Sequence, residues 1–184
     1  VGDTGVWPSA AAPQCALLFP STSALGAPGA CALLAVAPTG AISLLANNAG
    51  ANFPVLAENI SANAWNAVTR IAIDGTFLCS TEMVRRCIAR GDSGAIVNNS
   101  AQYIWTGFPG DAHSAAAKTA QATMTKAMAR DWKAYNIRVN AVAAGFFPHA
   151  SSTNGDAPDA IAPLQNMIPA GRTGRIREFG WLSA

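Results

Sequence analysis

The chain has 184 residues, enough for one domain with one sizeable core. Half of them (51%) are hydrophobic, 12% are charged, and the net charge is +2, which gives no electrostatic footprint for a nucleic acid. Two histidines and four cysteines without a CxxC pair supply no metal-ligand pattern, and no window reaches the ~20 apolar residues of a membrane helix.

Residues 1–42 are rich in Ala, Pro, Gly and Ser, and VGDTGVWPSAAAPQ reads as loop. CALLFPSTSALGAPGACALLAVAP holds apolar pieces that suit short strands or helical turns. The first 69 residues carry only Asp3 and Glu58 as charges, and all twelve basic residues follow from Arg70 onward. Cys15 and Cys31 leave a disulfide open. The start has no positively charged n-region, so nothing argues for secretion, and a cytoplasmic protein is expected.

From Ala41 the pattern sharpens. AISLLANNAG is an apolar run that breaks at Asn-Asn-Ala-Gly, as a buried strand entering a turn does. SANAWNAVTRIAIDGTFLCSTEMVRRCIARG has helical period: Ser61 is placed to cap it, and Trp65, Val68, Ile71, Phe77 and Met83 recur at helical spacings. Arg85, Arg86 and Arg90 favour its C-terminal end. Asp74-Gly75 predicts an irregular turn inside it, and Cys79 and Cys87 read as free, partly buried thiols. GAIVNNSA is a second strand. PGDAHSAAAKTAQATMTKAMARDWKAY is a second long helix, and NIRVNAVAAG a third strand. SSTNGDAPDAIAPLQNMIP reads as loop with a short helix. Strand–helix alternation with apolar strands predicts a doubly wound, Rossmann-like α/β fold, a parallel sheet with helices on both faces.

Five landmarks in this order carry a resemblance: NNAG (Asn47 to Gly50), IVNNSA (Ile96 to Ala101), the helical Lys118, NIRVNAVAAG (Asn136 to Gly145) and the late segment PAGRTGRIREFGW. Together they resemble the short-chain dehydrogenase/reductase family over about residues 43–183, with an atypical region at 1–42. The resemblance implies a nicotinamide cofactor across the carboxyl ends of the strands. It implies cofactor contacts from Asn48, Ala49, Gly50, Lys118, Gly145 and Phe146, with weaker candidates in Phe147 and His149 after the third strand.

The family's usual catalytic set is Asn, Ser, Tyr and Lys. Here the Asn position is Ala72, the Ser position is Ala101 with Ser100 before it, and the Tyr position is Ser114. Lys118 alone is kept. This pattern resembles the 2,4-dienoyl-CoA reductase branch, in which the lysine stays, the tyrosine is absent from its usual place and a histidine stands five before the lysine, as His113 does. That branch delivers hydride from NADPH to a conjugated thioester of fatty acid metabolism, so NADP(H) is expected ahead of NAD(H), with an acyl-CoA thioester as substrate. The branch usually has an acidic residue where Ala72 stands. Asp74 lies about 200° away on an ideal helix and substitutes only if the helix is irregular there.

The expected catalytic residues are therefore Lys118, Ser100, Tyr103 and Ser114. Lys118 would hold the ribose and supply positive charge. Tyr103, on the loop after the second strand, would provide the missing acid, or with Trp105 form pocket wall. Serine is a poor proton donor at neutral pH, so Ser114 would act by hydrogen bonding. His113 lies about 140° from Lys118 and reads as a helix-entry residue. A carbonyl reductase or alcohol dehydrogenase using Tyr103 is the enzymatic rival. A non-catalytic subunit is the other class, since this family pairs its two long helices between subunits and a homo-oligomer is expected. The family's glycine-rich phosphate turn, T-G-x-x-x-G-x-G, is not recognisable: Thr4-Gly5 is followed by Val-Trp-Pro, and GAPGA has the wrong spacing. The sequence thus reads as an incomplete reductase.

Overall fold

Alternation of side chains along three apolar strands decides what this chain buries. β3 (Ile42–Asn47), β4 (Gly94–Ala101) and β5 (Ile137–Ala144) pair in parallel, with Leu45 opposite Ile96 and Ile96 opposite Val139. In-register partners point to the same side of a sheet, so these residues make one continuous apolar row. The computed structural model describes residues 14–18, 32–36, 41–147, 165–175 and 177–179. The possible Cys15–Cys31 pairing, the Thr4-Gly5 segment and His149 fall outside the described residues.

Two helical crossovers cover that row. The first is continuous from Ala62 to Arg90: α1 (Ala62–Thr69), a π-helical stretch (Arg70–Asp74) and α2 (Gly75–Arg90). Ser61 caps it, its hydroxyl accepting from the Ala64 amide at 3.1 Å. Gly91 ends it at φ 72°, where the amides of Gly91 and Asp92 reach back to the carbonyls of Ile88 and Cys87. The second is α3 (Ala112–Asp131). The core packs Leu45, Ile96, Ile137 and Val139 against Met83, Val84 and Cys87 of α2 and Met128 of α3.

The Rossmann-like α/β fold expected from the sequence is present, with parallel β3, β4 and β5 and flanking helices, and three details differ. Both helical crossovers lie on the same face of the described sheet, because β3, β4 and β5 step in one direction and right-handed crossovers then fall on one side. The irregularity near Asp74-Gly75 is no turn: Gly75 is helical at φ −59°, ψ −47°, and the chain widens into a π turn just before it. The sheet is also mixed. β1 (Gln14–Leu18) and β2 (Ala32–Val36) of the N-terminal region join it antiparallel, in the order β1-β2-β3-β4-β5.

Cys79 and Cys87 are free thiols, and burial pushes the Cys87 thiol up from its ordinary value. No helix among the described residues is long and apolar enough to cross a membrane.

Candidate functional site at the carboxyl ends of the strands

Along β3 and β4 the buried face changes character toward the carboxyl end. Leu45 gives way to Asn47, and Ile96 to Asn98 and then Ser100. These polar groups are not left bare. Asn47 Nδ2 donates to Asn98 Oδ1 at 2.8 Å and to Ser80 Oγ at 2.9 Å, and Asn98 Nδ2 donates to Thr125 Oγ1 at 2.8 Å. Buried amides are tolerable only when bonded in this way. The network locks the strand ends to α2 and α3 just beneath the predicted site.

Lys118 stands at its centre. It is 9% exposed, and its ammonium donates to the Asn99 carbonyl and approaches Gln121 Oε1 at 3.5 Å. Burial brings its pKa down from 10.5 to about 8. No carboxylate makes an ion pair with it among the described residues. Ser100 donates its hydroxyl to the Lys118 carbonyl at 3.1 Å, so it fastens the lysine's own turn to β4.

Ser114, one helical turn before Lys118 and on the same face, lies 2.8 Å from the Tyr103 hydroxyl. The sequence supplied both residues but not their contact. Burial raises the Tyr103 pKa, partly offset by the Ser114 hydrogen bond, and Asp111 raises it further, so the phenol keeps its proton at neutral pH. His113 is fully buried. Its ring meets Phe53 edge-on at 4.7 Å, and neither nitrogen has a hydrogen-bond partner. Ala72 is buried with Val68 and Ala117, while Asp74 faces solvent. The helix is irregular there, and the acid still does not reach the position of Ala72.

NNAG closes the site from above. Gly50 stands over the lysine, with its Cβ position 3.6 Å from Nζ. Asn48 is exposed, and its side-chain carbonyl accepts from Asn99 Nδ2 at 2.7 Å. Ala49 lies half-buried between them. Asn99 Oδ1 is buried and has no partner. The loop carrying Phe53 is tied to the loop after β4 by the Val55 amide, which donates to the Gly110 carbonyl at 2.9 Å. At the end of β5, Gly145 borders open space, and Phe146 accepts from the Gly174 amide at 2.9 Å. Phe147 packs edge-on against Phe179 at 5.7 Å. Trp105 is 74% exposed, on the turn that follows Tyr103.

Sequence reasoning missed Gln121 and Thr76. Gln121 is fully buried and donates to Thr76 Oγ1 at 2.7 Å. The available signal was an amide one turn after Lys118 on the same helix face as Ser114, Ala117 and Thr125.

A family model described as enoyl-(acyl carrier protein) reductase matches residues 30–184. The chain belongs to the short-chain dehydrogenase/reductase family. It is 37% identical over 153 residues to a probable 2,4-dienoyl-CoA reductase of Bacillus subtilis, covering 82% of this chain and 60% of that protein. The crystal structure of a short-chain dehydrogenase from Bacillus anthracis matches at 40% identity and TM-score 0.67, over 77% of this chain and 54% of the other. A gluconate 5-dehydrogenase from Burkholderia cenocepacia, solved with NADP and tartrate, matches at 33% identity and TM-score 0.69, over 75% and 54%. The chain therefore spans little more than half the length of these relatives.

The site can be weighed against the nicotinamide cofactor implied by this fold. An ammonium with an N–H left over, a glycine above it, the unpaired buried Asn99 Oδ1 and open space at Gly145 fit the hydroxyl-bearing ribose and nicotinamide end of such a molecule. The pyrophosphate end meets no recognisable glycine-rich turn among the described residues.

Proposed function

We propose that this chain forms the catalytic core of an NADPH-dependent reductase of enoyl- or dienoyl-CoA-like thioesters. The observation that carries this reading is the 2.8 Å contact between Tyr103 and Ser114. It brings a protonated phenol to the helix face of Lys118, in place of the tyrosine missing from position 114.

When bound, the cofactor supplies the hydride. Asn48, Ala49, Gly50, Gly145, Phe146 and Lys118 would hold and orient its ribose and nicotinamide. The Lys118 ammonium, charged at neutral pH, stabilises the negative charge that builds on the thioester-conjugated system. Tyr103, kept protonated by burial, donates the proton, and Ser114 fixes the direction of its hydroxyl. Ser100 positions Lys118 through the backbone. The similarity to the B. subtilis protein supports the thioester, and the NADP in the B. cenocepacia structure supports the choice of cofactor.

Carbonyl reduction is the second reading. The same phenol would protonate an alkoxide, and the chain resembles a gluconate 5-dehydrogenase in fold and sequence. The two long helices would form the face for self-association: Trp65 on α1 and Phe77 and Ile88 on α2 are 42%, 50% and 41% exposed.

The test is NADPH oxidation with a dienoyl-CoA thioester, an enoyl-CoA thioester and a ketone in parallel. The thioesters are expected to turn over. Tyr103→Phe is expected to reduce turnover by about a hundredfold or more while NADPH binding persists. Turnover of the ketone alone favours the second reading, and full activity in Tyr103→Phe rules out the phenol as acid.

A further inference from the structure

Gln121 is fully buried, one turn after Lys118 on α3. A buried primary amide is costly unless both ends are bonded. Its nitrogen donates to Thr76 Oγ1 at 2.7 Å and its oxygen lies 3.5 Å from Lys118 Nζ. The threonine hydroxyl can donate or accept, so by itself it does not orient the amide. The ammonium only donates, so the oxygen must face the lysine.

The other end of this link is equally specific. Thr76 sits in the first turn of α2, directly after the π-helical stretch and four residues beyond Ala72. Ala72 occupies the place of the family's asparagine, and there Val68 and Ala117 pack apolar atoms against it. The π-helical stretch thus has no amide at Ala72, and Gln121 brings one from α3 to Thr76, one turn farther along the first crossover. The α3 turn that carries it is anchored from below, since Thr125 donates to the Gln121 carbonyl at 2.8 Å and Asn98 donates to Thr125.

We propose that Gln121, braced by Thr76, is the positioning residue for Lys118: it holds the ammonium against the Asn99 carbonyl and stabilises its charge where no carboxylate pairs with it among the described residues. Two of the three N–H groups are then committed, to Asn99 and Gln121, and the third is left for the cofactor. The inference rests on the Lys118-centred site proposed above, but it concerns a property of the lysine that can be measured without cofactor. The ionisable groups on the neighbouring elements include Arg70 and Asp74 on the π-helical stretch, Tyr103 after β4, and Asp111 and His113 at the start of α3, and none of them changes in the variants below.

The chain has three lysines, Lys118, Lys126 and Lys133, so protein labelled with 13C at lysine Cε gives three resolvable titrations by NMR. Lys118→Met assigns the resonance. Gln121→Leu, close in size, is expected to move the Lys118 midpoint down by about one pH unit, and Gln121→Glu to move it up by at least about as much. Thr76→Val is expected to follow Gln121→Leu with a smaller shift. An unmoved midpoint in either folded Gln121 variant overturns the proposal, and Gln121→Glu decides it alone if Gln121→Leu does not fold. NADPH binding is read on the same samples. A wild type that fails to bind contradicts the cofactor site, while the midpoints still decide the role of Gln121.

Discussion

The interface between the sheet and its helices has two ends built from different chemistry. Toward the amino ends of the strands, Leu45, Ile96 and Val139 meet the apolar side chains of Met83, Val84, Cys87 and Met128. Toward the carboxyl ends, the next inward positions are Asn47, Asn98 and Ser100, bonded to Ser80, Thr125 and the Lys118 backbone. The apolar end is held by close packing, which tolerates no lost volume. The polar end is held by directional bonds, which fix angles as well as distances. The site proposed above, which would aim an ammonium and a phenol at one substrate, would be served by the second kind of core.

The largest stability effect is expected at the apolar end. Leu45→Ala removes a fully buried side chain and is expected to cost about 3 kcal/mol in urea denaturation, without changing the NADPH affinity of the folded fraction. At the polar end, Asn98→Ala removes one partner each from Asn47 and Thr125 and is expected to cost about 2 kcal/mol. Unlike Leu45→Ala, it is expected to weaken NADPH binding. Equal effects of the two variants on binding would erase the distinction.

A third prediction concerns pH. The Lys118 pKa is about 8 in the folded chain against an ordinary 10.5, so between these values the unfolded chain holds the proton and the folded chain does not. Stability then rises with pH through that window, by an amount on the order of 1–2 kcal/mol between pH 8 and 10. Tyr103, shifted upward, loses its own contribution only above its ordinary value of 10. Lys118→Met is expected to flatten the rise in thermal or urea melts, and a rise that survives the substitution would show that the lysine is not the group responsible. The smallest effect belongs to the solvent-facing Arg86–Glu82 pair of α2: Glu82→Ala is expected to change stability by less than about 0.5 kcal/mol.

Much of this was legible in the sequence. Apolar runs ending in NNAG, in NNSA and in NAVAAG marked β3, β4 and β5, because buried parallel strands have little freedom in composition. Ser61 marked the start of the first crossover and Arg85, Arg86 and Arg90 its C-terminal end, because capping and dipole preferences depend on local chemistry. Lys118, Ser114 and Tyr103 were named singly. Their meeting depends on how the loop after β4 folds back over the start of α3, which no local pattern encodes. The side of the sheet taken by both crossovers follows from strand order, a tertiary property. The antiparallel pairing of β1 and β2 was equally hidden, since QCALL and ALLAV carry no sign of direction. Gln121 escaped notice because glutamine on a helix is ordinarily solvated, and only the packing of α3 against α2 makes it a buried amide.

The central claim is that Lys118, Tyr103 and Ser114 belong to a working nicotinamide site. Titration of the purified chain with NADPH and NADH, followed by energy transfer from its five tryptophans, tests it most directly. Saturable binding is expected, tighter for NADPH, and weakened at least about tenfold in Lys118→Met, the equivalent of one charge-assisted hydrogen bond. A folded chain that binds neither nucleotide, or binds both unchanged in Lys118→Met, would contradict it.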